Sequence, residues 1–231
     1  MIGVFDSGRG GLVAYKELRR LMPKSDVTYL ADRKNAPYGN KSPGEILRLT
    51  ECGIRRLRDL RCELILIACC TASSLHELLP RELREMSIPI ITPTARLCRE
   101  SKSVLVIATE HTARSGAFGR EISRFSTASV REVPMQPLVS LIEWGHDTKC
   151  AINEIVEMCE GCDTLILGCT HFSHLYDELR ARLPEVKILS PAHIGAGEIR
   201  KITIDHGSGR DIYTCSPSEH YLHKVQTSLT K

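Results

Sequence analysis

Residues 65–69 read Ile-Leu-Ile-Ala-Cys, and residues 165–169 read Leu-Ile-Leu-Gly-Cys. Each stretch is a short apolar run with the composition of a buried parallel β-strand, and each ends in a cysteine. These cysteines, Cys69 and Cys169, are 100 residues apart, and four candidate strands can be placed in each half of the chain. The sequence therefore predicts two pseudo-symmetric lobes, with a cysteine just beyond the third strand of each.

The rest of the chain alternates between apolar runs and longer segments of helical character. Strands are predicted at 2–5, 27–30, 64–68, 88–91, 104–108, 130–133, 164–168, 186–189 and 212–215. Helices are predicted at 12–21, 43–60, 72–86, 112–125, 138–158 and 175–183, with a last helix from Pro217. This alternation is typical of the α/β class, in which a mostly parallel sheet is flanked by helices.

The boundary between the lobes is expected near Pro89 and Pro93, which flank an apolar run. The first lobe would then comprise residues 1–92 and 205–231, and the second lobe residues 93–204. Because ligands gather beyond the carboxyl ends of parallel strands, we expect ligand-binding residues just after the predicted strands.

The overall composition narrows the class of protein. The chain has 31 Lys and Arg against 28 Asp and Glu, a net charge of +3, so no basic excess suggests a nucleic-acid partner. The hydrophobic content of 42% is enough for a packed core. No apolar run approaches the roughly 20 residues that span a bilayer, and no secretory signal is visible. A cytoplasmic protein with its ten cysteines reduced is expected.

Three predicted strands are followed by residues suited to chemistry. Asp6 and Ser7 begin a glycine-rich turn that could bind an anion through backbone N–H groups. Cys69 stands at the start of a predicted helix, where a thiol is expected to have a pKa below the ~8.5 of free cysteine. Cys169 repeats this position and is followed two residues later by His171.

Two thiols on facing lobes would approach a bound molecule from opposite sides. Inverting a carbon centre requires removing a proton on one face and returning a proton on the other. A thiolate and a thiol can do this in either direction, whereas a nucleophilic cysteine would need only one lobe. The symmetry of Cys69 and Cys169 therefore indicates racemisation.

Several sequence blocks resemble those of a known family. Residues 2–11 (IGVFDSGRGG), 36–41 (APYGNK), 68–73 (ACCTAS) and 168–172 (GCTHF) are similar to the signature blocks of glutamate racemases, in the aspartate/glutamate racemase superfamily. Segments 107–118 and 137–143 resemble further blocks. The resemblance implies two α/β lobes with the active site in the cleft between them. It also implies a cofactor-independent isomerase that converts L-glutamate to D-glutamate for peptidoglycan.

The same blocks imply roles for individual residues. Cys69 and Cys169 would transfer the proton, Asp6 would support Cys69, and His171 with Glu143 would support Cys169. The substrate-binding residues would be Ser7, Tyr38, Gly39, Cys70, Thr71, Thr109 and Thr170. The expected partner is the amino acid glutamate, with no metal, nucleic acid or membrane, and a homodimer is left as an option. Hydroxyls and turn amides suit a substrate with two carboxylates.

The chain also departs from the family pattern. Cys70 stands where the family has Asn, and a thiol is a poorer hydrogen-bonding group than a carboxamide, so one orienting contact is lost or replaced. Ser173 and His174 replace a usual Pro-Leu pair, and Ser140 replaces a common proline. Two functional alternatives stay open: racemisation of another amino acid such as aspartate, and a weakened relative acting as a binding or regulatory protein.

Other interpretations of the cysteines are disfavoured. Cys169, His171 and His174 could join Cys159 and Cys162 at a zinc site, but that pair precedes a predicted strand and Cys169 follows it. A redox role for the pair is weak because it does not open a helix. A disulfide between the adjacent cysteines Cys69 and Cys70 would prevent Cys69 from acting as a base.

Two surface features have simple interpretations. Arg55, Arg56 and Arg58 are predicted to form a solvated helix face with Leu57 or Leu60 turned inward. Trp144 is predicted to contribute to the packing of its lobe and not to serve as a platform for a cofactor.

Overall fold

A computed structural model describes residues 1–215 of the protein. The strands in this range are β1 (Ile2–Asp6), β2 (Val27–Ala31), β3 (Leu64–Ile67), β4 (Ser87–Pro89), β5 (Ser103–Ala108), β6 (Ser129–Pro134), β7 (Thr164–Gly168), β8 (Lys187–Leu189) and β9 (Asp211–Cys215). The helices are α1 (Leu12–Leu21), α2 (Pro43–Asp59), α3 (Cys70–Ser73), α4 (Arg81–Glu85), α5 (Ile91–Arg96), α6 (Glu110–Ser115), α7 (Ala117–Ile122), α8 (Gln136–Trp144), α9 (Lys149–Met158), α10 (Tyr176–Arg182) and α11 (Pro191–Ile202). The helix predicted from Pro217 lies outside the described residues.

The strands form two parallel sheets, in the orders β4-β3-β1-β2-β9 and β6-β5-β7-β8. Parallel neighbours require crossover connections, and the helices between the strands supply them. The prediction of an α/β protein with two parallel sheets is confirmed. Strand β9 pairs with β2 and so returns the chain to the first sheet. The residue limits of the two lobes stay a prediction.

The two sheets share one apolar core. On β7, Leu165 and Leu167 pack into a core on one face of the second sheet. Ile166, on the other face, packs into a core that also contains Leu66 of β3. This alternation follows from the two-residue period of a strand. Side chains from α1, α5, α7 and α11 fill the shared core. The packing fixes the carboxyl edges of the two sheets relative to each other.

Three of the predicted long helices are broken in the structure. The segment 72–86 is divided into α3, a 3₁₀ turn at His76–Leu78 and α4, with Pro80 directly before α4. The segments 112–125 and 138–158 are interrupted at Gly116 and Gly145, which have positive φ angles of 64° and 71°. Helical periodicity continued through these positions, so the sequence prediction missed the breaks.

Local details of two helices test the remaining predictions. Ser42 caps α2 by accepting a hydrogen bond from the backbone N–H of Glu45, as its position before a proline indicates. Leu57 is buried and both Arg56 and Arg58 are exposed, which confirms the solvated face for these two, whereas Arg55 is half-buried and pairs with Glu51 and Glu82. The prediction for Trp144 is wrong: at the end of α8, its side chain is 76% exposed. None of the helices within residues 1–215 combines the length and apolar character needed to span a membrane.

Candidate active site

The carboxyl ends of strands from both sheets meet at a narrow cleft. Cys69 follows β3 on one side of the cleft, and Cys169 follows β7 on the other. The cleft is lined by Ser7, Gly8, Ala36, Pro37, Tyr38, Gly39, Cys69, Cys70, Thr71, Thr109, Gln136, Val139, Glu143, Cys169, Thr170 and His171. Every residue that the sequence analysis placed at the site is in this lining except Asp6, which is buried beside it. Sequence reasoning missed Gln136, which lies just before the segment 137–143, and it gave no role to Val139, which lies within that segment.

The Cys69 side of the cleft favours a protonated thiol. Burial raises the pKa of Cys69 to about 12, and the nearby charge of Asp6 acts in the same direction. The hydroxyl of Ser7 lies 3.2 Å from Cys69 Sγ. The expectation of a lowered pKa is therefore wrong: α3 has only four residues, and its dipole is outweighed by burial.

Asp6 ends β1 beneath the cleft and is fully buried. It accepts hydrogen bonds from the backbone N–H of Gly8 at 2.8 Å and from Thr170 Oγ1 at 3.4 Å. Burial raises the pKa of Asp6, while the charge of His171 opposes that change. The hydroxyl in contact with Cys69 is that of Ser7, so Asp6 acts on Cys69 through its charge.

The Cys169 side of the cleft carries a cation. His171 Nδ1 lies 3.7 Å from Cys169 Sγ, and His171 Nε2 lies 3.2 Å from Glu143 Oε2 in an ion-pair contact. Burial lowers the pKa of His171, but the contacts with Cys169 and Glu143 outweigh it and raise the pKa to about 10. The contact with His171 lowers the pKa of Glu143. The imidazole is thus cationic near neutral pH and faces the sulfur.

Three buried threonines form a hydroxyl cluster at the edge of the cleft. Thr71 Oγ1 lies 3.0 Å from Thr109 Oγ1 and 3.2 Å from Thr112 Oγ1, and the latter two are 2.8 Å apart. Thr71 follows β3 and Thr109 follows β5, so the cluster joins the two sheets. The sequence analysis missed Thr112. Its signal was the three-residue spacing from Thr109, which caps α6 by accepting from Thr112 N.

Comparison with known proteins places the chain in a family. Residues 19–199 match the family model described as Asp/Glu/Hydantoin racemase. The glutamate racemase of Microcystis aeruginosa is 36% identical over 202 residues, which cover 83% of this chain and 71% of the relative. The chain belongs to the Asp/Glu/Hydantoin racemase family.

Two further comparisons cover almost the whole chain. The glutamate racemase of Persephonella marina is 34% identical over 233 residues, which cover 95% of this chain and 90% of the relative. The crystal structure of glutamate racemase from Francisella tularensis in complex with D-glutamate has a TM-score of 0.84 at 26% identity. That match covers 99% of this chain and 92% of the other. Fold and family therefore agree with the resemblance.

In this family member, Tyr38 and Gly39 form part of the cleft wall. Tyr38 is buried, and its hydroxyl donates a hydrogen bond of 2.7 Å to Asp32 Oδ2. Gly39 packs so closely that an added Cβ would overlap Gln136 Oε1 and lie 2.9 Å from Thr109 Cβ. The 3₁₀ turn at Tyr38–Asn40 thus lies directly against the second sheet's side of the cleft.

Cys70, the departure from the family pattern, is 2% exposed and begins α3. Its thiol borders both the cleft and the core shared by the sheets. Burial and the neighbouring thiols Cys169 and Cys69 raise its pKa well above the usual range, so it is a neutral group at physiological pH. A neutral thiol cannot supply the two N–H donors of a carboxamide.

The other cysteine pair lies away from the cleft. Cys159 and Cys162 precede β7, and Cys169 follows it, so a strand separates the two groups. Burial raises the pKa of Cys159 to about 11, which does not favour a reactive thiolate. Within residues 1–215, no three His, Cys, Asp or Glu side chains are grouped so that they could hold a metal ion.

Proposed function

We propose that the protein is a glutamate racemase that moves a proton at Cα between Cys69 and Cys169 without a cofactor. The observation that carries this proposal is the position of both thiols, which follow corresponding strands of the two sheets and line one cleft. A stereocentre held between them would have one sulfur on each face, which a two-base inversion requires.

The proposed reaction consists of two proton transfers, one from Cα to the first cysteine and one from the second cysteine to Cα. The thiolate of one cysteine takes the Cα proton and becomes a thiol, and the electron pair of the broken C–H bond is left on Cα and the α-carboxylate. The thiol of the other cysteine then donates its proton to the opposite face and becomes a thiolate. The product has the opposite configuration at Cα, and the two cysteines have exchanged protonation states.

The surroundings of the two thiols differ. Cys69 is held as a thiol because burial and the charge of Asp6 raise its pKa to about 12. Cys169 Sγ lies 3.7 Å from Nδ1 of the cationic His171 imidazole. Glu143 holds that imidazolium in place through its ion-pair contact. We therefore assign Asp6, His171 and Glu143 as positioning and charge-setting residues.

Substrate binding is proposed for the polar lining between the thiols. Thr71, Thr109 and Thr170 place hydroxyls at the cleft, and Ser7 adds one next to Cys69. Hydroxyl and backbone N–H donors stabilise the charge that develops on the α-carboxylate as the proton leaves. Tyr38, Gly39 and Cys70 complete the wall that orients the substrate.

Glutamate is the proposed substrate because the relatives at 34–36% identity are named glutamate racemase. The solved relative from Francisella tularensis was crystallised with D-glutamate. We further propose that the D-glutamate supplies peptidoglycan synthesis in the cytoplasm, and the homodimer stays a prediction.

The proposal is tested in ²H₂O by following the circular-dichroism signals of L- and D-glutamate, with L- and D-aspartate as the comparison. We expect the signal of each glutamate enantiomer to decay to zero, and we expect deuterium to appear at Cα of both enantiomers. Turnover of aspartate alone would contradict the choice of substrate. Binding of glutamate without deuterium at Cα would overturn racemisation and favour the binding-protein alternative.

A further inference from the structure

Gln136, the first residue of α8, lines the cleft but has no part in the reaction proposed above. Val139 and Glu143 follow it on the same helix and line the same cleft, so one face of α8 forms this wall. At 1.5 Å per residue, Gln136 lies roughly 10 Å along the helix axis from Glu143. The cleft therefore extends along α8 from a Glu143 end to a Gln136 end.

Both thiols are placed at one end of the cleft by their contacts. Ser7 Oγ lies 3.2 Å from Cys69 Sγ, and His171 Nδ1 lies 3.7 Å from Cys169 Sγ. A Cβ on Gly8, the residue after Ser7, would lie 3.9 Å from His171 Cε1, so these two groups of contacts adjoin each other. The carboxylate that pairs with this imidazole belongs to the same end.

At the other end, the carboxamide of Gln136 is held in one orientation. Its Oε1 accepts a hydrogen bond of 3.3 Å from the backbone N–H of Glu110. Because an N–H can only donate, the side-chain atom that faces it is the oxygen and not the nitrogen. Gly39 packs against the same oxygen. The amide nitrogen is thus turned away from both of these contacts.

This nitrogen is available to a ligand. In the part of the chain that the structure describes, Gln136 Nε2 donates to no protein group and is not a buried atom. Among the described residues of the lining, the other side-chain N–H groups belong to His171, whose ring contacts Cys169 and Glu143. Gln136 therefore offers the cleft two N–H donors that the protein itself does not use.

We propose that Gln136 binds the side-chain carboxylate of the substrate and thereby selects an acidic amino acid of the length of glutamate. This inference rests on the proposed function, in which Cα lies between Cys69 and Cys169. The α-carboxylate is attached directly to Cα and stays at the thiol end. The side-chain carboxylate of glutamate extends toward Gln136, whereas that of aspartate is one methylene shorter. Amide donors to a carboxylate form charge-assisted hydrogen bonds, which are stronger than neutral ones.

Two variants of Gln136 separate a donor to the substrate from a merely structural side chain. Gln136→Glu keeps an oxygen that can accept from Glu110 and replaces the NH₂ group with a negatively charged oxygen. We expect the KM for glutamate to rise at least about tenfold, because a hydrogen bond to a charged group is lost and a repulsion is added. The kcat should change little, because this bond is the same in the ground state and the transition state, and a retained kcat shows that the variant is folded.

Gln136→Met keeps the length of the side chain but removes both the donor and the acceptor. It should raise the KM less than Gln136→Glu does, because it loses the bond without adding a repulsion. A structural role predicts the reverse order, since only the methionine variant loses the bond from Glu110.

Asn153→Asp is the matched control. It makes the same change from amide to carboxylate at an exposed position of α9, where Asn153 Oδ1 accepts from Arg182. This variant should have wild-type KM and kcat for glutamate. Calorimetry should also show that Gln136→Glu weakens binding of D-aspartate less than binding of D-glutamate, because the shorter side chain does not reach this position.

The outcomes distinguish this inference from the proposed function. A wild-type KM in Gln136→Glu, or a rise in Gln136→Met that equals or exceeds it, would overturn the role of Gln136 while racemisation stands. Equal losses of affinity for D-aspartate and D-glutamate would contradict selection by length. If the wild type binds glutamate without racemising it, the Kd values of the same variants decide the role of Gln136. A wild type that does not bind glutamate would overturn both the proposed function and this inference.

Discussion

Thr170 donates a hydrogen bond of 3.4 Å to Asp6, the last residue of β1. Asp6 lies in the first sheet, Thr170 begins the 3₁₀ turn that follows β7 of the second sheet, and both residues are buried. This bond joins the carboxyl edges of the sheets next to Cys169, which precedes Thr170, and Ser7, which follows Asp6 and contacts Cys69. Cys169 is therefore the chain neighbour of one partner in this contact, and Cys69 touches the chain neighbour of the other.

Replacing either proposed base should abolish racemisation. Cys69→Ala and Cys169→Ala are each expected to lower kcat by on the order of 10²–10⁴-fold, the usual contribution of an acid–base group. The remaining thiol can still exchange the proton on its own face, so each variant should exchange Cα deuterium into one enantiomer, and the two variants should select opposite enantiomers. Proton NMR of glutamate in ²H₂O measures this.

Cys159→Ala provides the control for the thiol changes, because Cys159 is buried away from the cleft. It should keep wild-type kcat. If both cleft variants exchanged the same enantiomer, the thiols would not lie on opposite faces of Cα.

The Glu143–His171 contact should be visible in pH titrations. The pKa of His171, about 10 in the folded protein, is raised first by Cys169 and then by Glu143, so it should fall in Glu143→Gln, where the imidazolium loses its carboxylate partner but keeps its contact with Cys169. A histidine whose pKa is raised by folding stabilises the protein fully below about pH 6.5, and this stabilisation is lost as the pH rises through 10. The variant should thus be less stable than wild type at pH 6.5, with a smaller difference above pH 10.

Histidine NMR and urea unfolding measure the two effects, with Glu154→Gln, an exposed carboxylate on α9, as the control. An unchanged midpoint for His171 in Glu143→Gln would rule out the assigned ion pair.

We expect Cys70→Asn to raise the activity of the protein and to lower its stability. A carboxamide at the cleft can donate to the substrate, and one well-placed hydrogen bond of about 1–1.5 kcal/mol corresponds to a roughly tenfold rise in kcat/KM. Because this position is 2% exposed and also borders the core, an unsatisfied amide should lower stability by about 1–3 kcal/mol. Racemase kinetics and thermal unfolding measure both; equal kcat/KM would show that the thiol is accommodated.

The hydroxyl cluster predicts a role for Thr112, which bonds Thr71 and Thr109 without lining the cleft. Thr112→Val keeps the shape and removes these hydrogen bonds, each worth about 1 kcal/mol. We expect kcat/KM to fall about fivefold to tenfold, mostly through KM. Thr94→Val is the matched control: Thr94 is equally buried and bonds the carbonyl of Ile90. Similar kinetic losses in both variants would indicate a general loss of stability.

Gly39 should tolerate no side chain. In Gly39→Ala the new methyl group would collide with Thr109 and Gln136, so the turn at Tyr38–Asn40 must move and widen the cleft. We expect kcat/KM to fall about 10²-fold, the loss typical of a misplaced reacting group. Gly44→Ala, in the open first turn of α2, should have wild-type activity and slightly higher stability. Wild-type kinetics in both variants would contradict the close packing.

Several elements were predictable because their signals are local. β7 and α1 have the predicted bounds, 164–168 and 12–21, since an apolar run or a helical period marks each of them. The cysteines after β3 and β7 were predictable from the same strands. Gln136 and Thr112 were not identified, because their importance arises from contacts with residues distant in the chain.

The sequence alone was enough to predict the order of the strands, the parallel class of the sheets and the two cysteines that follow β3 and β7, since these depend on residue periodicity and on position at strand ends. Tertiary structure decided the protonation of the site. The position of Cys69 at the start of a helix suggested a low pKa, but burial and the charge of Asp6 raise it to about 12. Desolvation and neighbouring charge depend on how separate chain segments pack, and no local pattern records that packing.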